Sequence, residues 1–208
     1  MLIKKRGESG MKTLDLQKLI RLLRSFVLAA FVCNILALFL VPSLVILSPK
    51  EIIELGMEDV GYALGLIPRP EDDIMYFPVV LALLLAGIAV WESAYHAVLT
   101  CFLWVCGTCT AVILWQAKNV LDTMLRRTPF LEENAQHLQV AAVACFVISF
   151  AAALRTVWGF FYYRNLSPLL TYNFLFCPLF LMGGLLFLVM SALFRQASEM
   201  REENDLTI

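Results

Sequence analysis

The apolar positions of this chain gather into long runs separated by short polar stretches. Four runs, Ser25–Leu47, Ser93–Ala117, Leu138–Phe161 and Tyr172–Phe194, each match the roughly 20 residues a helix needs to cross a hydrocarbon core of about 30 Å. They predict an all-α fold, a polytopic membrane helical bundle with four transmembrane helices, and a single membrane domain over residues 1–208. A fifth run, "FPVVLALLLAGIAVW" from Phe77 to Trp91, would reach only about 22 Å as a helix. It is expected to be a re-entrant or interfacial segment rather than a crossing. The first run is longer than the core of a signal peptide and no small-residue cleavage site follows it, so it is expected to remain as an anchor.

Composition supports the same class. Hydrophobic residues make up 61% of the chain and charged residues 16%, with a mean hydropathy of +0.79, whereas soluble domains lie nearer half apolar and a quarter charged. The six cysteines all fall in apolar stretches, which argues for small packing residues rather than an extracellular disulfide framework.

Charge distribution supplies an orientation. Residues 1–24 carry seven basic residues against two acidic ones, while residues 49–92 carry Lys50 and Arg69 against eight carboxylates. By the positive-inside rule the first stretch is cytosolic and the second is an outer loop. Residues 118–137 contain Lys118, Arg126 and Arg127, which places this stretch inside and requires an even number of crossings before it. Four spans meet that requirement and five do not. Trp158, Tyr162, Tyr163 and Tyr172 cluster where the third span would exit and the fourth begin, as aromatic side chains do at a headgroup layer. The tail, residues 195–208, then faces the cytosol, and the protein is expected to be a multi-pass protein of the cell membrane with both termini cytosolic.

The two later cytosolic stretches carry helix signals. Lys118–Asp122 and Asp122–Arg126 are i,i+4 pairs that support a continuation of the second span through Arg127. Thr128-Pro129 then offers a cap and a first helical residue, with Glu132 and Glu133 close behind where the helix dipole favours acids. A helical hairpin results. In the tail, Arg195–Glu199 is another such pair. The helix is expected to last until about Glu203, with Asn204-Asp205 ending it and Leu206-Thr207-Ile208 extended, a form that can add to a sheet edge in a partner.

"PFLEENAQHL" at Pro129–Leu138 and the closing "QASEMREENDLTI" at Gln196–Ile208 resemble the bacterial membrane family catalogued as domain of unknown function 2975. The resemblance covers roughly residues 97–208. It implies four spans, a "PF..EN" turn after the second and an ending close to "ENDLTI"; the outer loop here is longer than that pattern. Members are often encoded beside a small Cro-type helix-turn-helix regulator, so the resemblance implies a cytosolic transcription regulator as partner. The contact residues nominated for it are Arg126, Arg127, Pro129, Phe130, Glu133 and Asn134 in the hairpin, with Glu203, Asn204, Asp205, Leu206, Thr207 and Ile208 in the tail.

Other chemistry is thinner. Cys106 and Cys109 form a CxxC, but they lie mid-span among apolar residues, where a thiolate is not supported. Arg155 is the only charge inside a span and sits near the outer interface, where it can snorkel. His96 lies four residues after Glu92 near the outer surface. The acids Glu71–Asp73 are expected to face water, and no metal site, cofactor or catalytic residue is expected. Ala141, Cys145, Ser149 and Ala153 repeat every four residues, a spacing that lets helices approach closely, with Gly183-Gly184 as the counterpart and a homo-oligomer as the lesser alternative. The reading is a non-enzymatic regulatory or sensory membrane protein that holds a helix-turn-helix regulator and makes no direct nucleic-acid contact. A small transporter component is the alternative, and a membrane thiol oxidoreductase a minor one.

Overall fold

The computed structural model describes residues 2–47, 50, 53–54, 56–57, 60–61, 64–66, 79–126, 132–164 and 172–206; within these, the side chains of 2–16, 79–82, 172–173, 202 and 204–206 are not described. The fold is all-α, with no strand among the described residues. Helix α1 spans Leu2–Ile46, α2 Val79–Ala89, α3 Ala94–Leu125, α4 Glu132–Tyr163 and α5 Tyr172–Leu206, with a 3-10 turn at Val90–Glu92 after α2. Among the described residues, four helices are long and apolar enough to cross a membrane, at Gln17–Ile46, Ala94–Leu125, Glu132–Tyr163 and Phe174–Arg201. Helix α2 is not. At about 16 Å it is short of the hydrocarbon thickness, in keeping with the four-span reading.

The chain divides into two compact units, Met1–Ile35 with Val105–Ile208, and Leu36–Trp104. In the smaller unit, Pro42 lies inside α1. A proline has no N–H to offer the carbonyl four residues back, which leaves Leu38 O without its helical donor. The indole Nε1 of Trp104 donates to that same carbonyl at 3.2 Å. In a bilayer every backbone acceptor needs such a partner, because no water is at hand. Ser43 Oγ donates to Leu83 O at 2.8 Å, and Gly87 of α2 lies beside Pro42, where a Cβ would make an ordinary contact at 3.8 Å from Pro42 Cβ.

In the larger unit α4 is the central element. The apolar window of its span is 44% buried within the protein, against 6% for α1, 17% for α3 and 11% for α5. The cause is side-chain size. Ala141, Ala142, Ala144, Cys145, Ser149 and Ala152 are all buried, and such residues let neighbouring backbones come close. The expected four-residue stripe holds at Ala141, Cys145 and Ser149. It then turns by one position, to Ala152 and Thr156 rather than the half-buried Ala153, because 3.6 residues per turn drifts against a repeat of four.

Helices α4 and α5 pack as an antiparallel pair stitched by two hydroxyls. Ser191 Oγ on α5 donates to Ala135 O at 2.7 Å, and Ser149 Oγ on α4 donates to Cys177 O at 2.8 Å, just before the helix-interior Pro178. Between these bonds Gly184 faces the ring of Phe146 so closely that a Cβ would lie 2.7 Å from its Cε1. The small residues of α4 and the glycines of α5 thus serve packing within one chain. Beyond α4, Arg164 takes a left-handed conformation with φ 48° and its N–H bonds to Phe160 O at 2.9 Å, ending the helix as an αL cap does. The rings of Trp158, Tyr162 and Tyr163 gather there, with Trp158 and Tyr162 stacked at 4.9 Å.

Candidate functional site

The polar ends of α3, α4 and α5, with Arg24 of α1, carry a set of ion pairs and hydrogen bonds. Asp122 is its pivot. One carboxylate oxygen receives Arg24 Nε at 2.7 Å and the other receives Lys118 Nζ at 3.1 Å. Lys118 also stands 4.8 Å from the centroid of the Trp115 ring, and that ring meets Phe31 of α1 at 5.6 Å. The Lys118–Asp122 pair is the expected helical one. The expected Asp122–Arg126 pair is replaced: Arg24 takes the remaining oxygen, and Arg126 is an exposed turn residue whose backbone N–H donates to Asp122 O at 3.2 Å. Asp122 and Lys118 are only 23% and 22% exposed, so the pairing is shielded well beyond that of an ordinary surface ion pair.

A second polar contact closes the hairpin. Thr123 Oγ1 lies 2.7 Å from Val120 O and 2.9 Å from the Asn134 side-chain amide. The single hydroxyl hydrogen is shared between two acceptors, the Val120 carbonyl and Asn134 Oδ1. Asn134 is fully buried. This nominated side chain is thus enclosed between α3 and α4 and bonded across the hairpin.

Among the other nominated residues, Glu133 is exposed in the first turn of α4 and Glu203 is exposed on α5. Arg127, Pro129, Phe130, Thr207 and Ile208 lie outside the described residues, as do the Thr128-Pro129 helix break and the Glu71–Asp73 cluster. Asn204, Asp205 and Leu206 belong to α5, which runs on to Leu206 rather than ending near Glu203. Its polar segment makes its own local bonds. Arg195 Nε donates to Glu199 Oε1 at 3.3 Å, and the buried Ser198 hydroxyl donates to Arg195 O at 3.1 Å. Such bonds keep an exposed helix end wound where Asn and Asp alone favour a stop.

The two thiols of the CxxC, Cys106 and Cys109, are free and half-buried within α3. Arg155 is half-buried on α4. Sequence reasoning overlooked Gln116, whose side-chain Oε1 is buried with no hydrogen-bond partner among the described residues. The available signal was an amide inside an apolar run, four residues before the charged stretch.

Compared with known proteins, residues 70–208 match the family model described as "Protein of unknown function (DUF2975)". The match begins earlier than the resemblance at 97–208 suggested and takes in α2. No curated protein and no solved structure matches the chain.

Proposed function

We propose that this chain, which belongs to the DUF2975 family of unknown function, is a regulatory membrane protein that holds a soluble helix-turn-helix regulator at the polar ends of α3, α4 and α5. The observation that carries the reading is the course of α5. It stays helical beyond its apolar run, from Arg195 to Leu206, about 18 Å of arm at 1.5 Å per residue. The root of that arm is fixed, because Ser191 bonds to α4. Next to it, Asp122 gathers Arg24 and Lys118, and Asn134 closes the hairpin. A rigid base with an exposed charged arm suits docking better than transport, for which a continuous polar pathway is needed. In this reading both termini are cytosolic, as the basic residues of 1–24 and the sparse basic residues of 49–92 support.

The arm is tested by deletion. Tagged full-length protein and a variant lacking Asn204–Ile208 are recovered from matched membranes, and the co-purified candidate helix-turn-helix regulator is quantified. The truncated form inserts and folds normally, because terminal residues carry little stability, yet it retains at least fivefold less regulator. Equal recovery removes the tail from the interface. The orientation is tested separately with a membrane-impermeant maleimide on intact cells. A Cys replacing Asp72 is labelled above the background of the native thiols and one replacing Asp205 is not; the reverse result inverts the proposed topology.

A further inference from the structure

Within the larger unit, two rows of cations meet at Asp122. Lys18, Arg21 and Arg24 recur every three residues on α1, and Lys118 and Arg126 stand four residues either side of Asp122 at the end of α3. Such spacings keep each row on one side of its helix. The two helices run antiparallel here, because the step along α1 from Arg24 to Phe31 matches the step back along α3 from Asp122 to Trp115. Arg21 and Arg126 therefore lie one turn beyond the Arg24–Asp122 bond, towards the same end, and the five cations share a band about 15 Å long. Over residues 18–24 and 118–126 they face one carboxylate. That carboxylate already holds Arg24 at 2.7 Å and Lys118 at 3.1 Å. Lys18, Arg21 and the Arg126 side chain are exposed and have no ion pair among the described residues. The acids Glu132 and Glu133 belong to α4, which meets α3 through Thr123 and Asn134 rather than through Asp122.

We propose that this seam between α1 and α3 binds an anionic phospholipid, its phosphate among Arg21, Arg24 and Arg126 and its acyl chains along Leu22 and Phe26. Charge complementarity selects the headgroup. Five cations against one carboxylate leave an excess of four positive charges, and basic clusters between membrane helices hold anionic headgroups. A guanidinium also matches phosphate oxygens two at a time. A zwitterionic lipid would bring its own ammonium into a band already short of acids. Position and apolar surface select a lipid over a soluble anion. The band lies where the apolar runs of both helices give way to polar residues, and Leu22 and Phe26 stand exposed within one turn of Arg24. Each cation near a membrane surface favours anionic lipid roughly fivefold, so the three unpaired ones suffice for a strong preference. The site does not depend on the proposed regulator.

The test reads Trp115, which is 46% exposed and lies beside Lys118 at the inner edge of the band. Purified full-length protein is placed in phosphatidylcholine vesicles containing a rising fraction of acyl-brominated phosphatidylglycerol or of acyl-brominated phosphatidylcholine. Quenching of tryptophan fluorescence is measured for each. Brominated phosphatidylglycerol is expected to reach half of its full effect at an at least fivefold lower fraction than brominated phosphatidylcholine. The difference should disappear in Trp115→Phe, which assigns it to this seam. Neutralising the three unpaired cations together, by Lys18→Gln, Arg21→Gln and Arg126→Gln, should bring the preference below twofold. Unchanged quenching of that variant by brominated phosphatidylcholine shows that Trp115 still sits in the bilayer. Arg164→Gln, which removes a cation beyond the other end of α4, should keep the full preference. Equal quenching by the two lipids in the unmodified protein overturns the proposal, as does an undiminished preference in the triple variant. Loss of the preference in Arg164→Gln overturns it too, by reducing the effect to attraction between net charges.

Discussion

A Gly184→Leu variant is expected to lose roughly 2–3 kcal/mol of stability, at the upper end of overpacking costs, while Gly183→Ala is tolerated. The two glycines are adjacent in sequence and opposite in consequence. A Cβ at Gly183 would meet Cys145 Sγ at 4.0 Å, an ordinary contact, whereas one at Gly184 would stand within 3.0 Å of three atoms of the Phe146 ring. Alanine at 184 can be accommodated if the half-exposed ring swings toward lipid. A leucine cannot, because its further atoms fill the space into which the ring would retreat. The measurement is the midpoint of unfolding in mixed detergent micelles for the two single variants and for Gly184→Leu combined with Phe146→Ala. The double variant should recover most of the loss, a coupling that two independent defects would not show. If Gly184→Leu melts with the unmodified protein, the close approach of α4 and α5 at this level is wrong.

The second large effect concerns Asp122. Its replacement by Leu leaves Arg24 and Lys118 facing each other with no carboxylate between them, and about 2 kcal/mol should be lost, less than the 3–5 of a fully buried pair. The discount reflects exposure, since the Arg24 side chain is 45% exposed and can turn toward the headgroups. Asp122→Asn keeps the shape and one hydrogen-bond acceptor but removes the charge, so its loss should fall between the unmodified protein and Asp122→Leu. Combining Arg24→Leu with Asp122→Leu should cost less than the two single changes added together, because the cation left stranded by one change is removed by the other. Strict additivity in that cycle would falsify a direct interaction between α1 and α3 at this point.

What the sequence disclosed and what it withheld follow a physical division. The four crossings were legible because each is decided within one continuous run of apolar residues. The stripe at Ala141, Cys145 and Ser149 was legible because helical periodicity acts within one element, and the Lys118–Asp122 pair for the same reason. The Arg24–Asp122 contact was not legible, since it depends on α1 lying beside α3, which no local pattern states. The burial of Asn134 was not legible, because an amide in the first turn of a helix reads as exposed until the preceding helix is placed over it. The length of α5 was underestimated for a related reason: Asn204-Asp205 is a local stop signal, and local stop signals yield to a helix already wound and bonded from Arg195 onward. Of the nominated contact residues, the fold buries Asn134 and leaves Glu133 and Glu203 exposed, a division that no local pattern states.

The indole of Trp104 and the ring of Pro42 have a consequence for how this sequence can change over time. Leu38 O needs the Trp104 donor because Pro42 cannot supply an N–H. The two positions are therefore bound by an order of substitution. If Pro42 is exchanged first for a residue with an N–H, the helix recovers its own bond and position 104 is released to vary. If Trp104 changes first to a residue without a donor, the carbonyl is stranded in hydrocarbon, a disadvantage that only a later loss of Pro42 would repair. One route between the two states is open and the other passes through a poorly folding intermediate. Related chains should thus include some that lack both residues and some that lack Pro42 alone. Those that keep the proline without a donor at position 104 should be rare. Trp104 lies inside the segment matched by the family model and Pro42 outside it, so the retention of one residue inside that segment is tied to a residue beyond it.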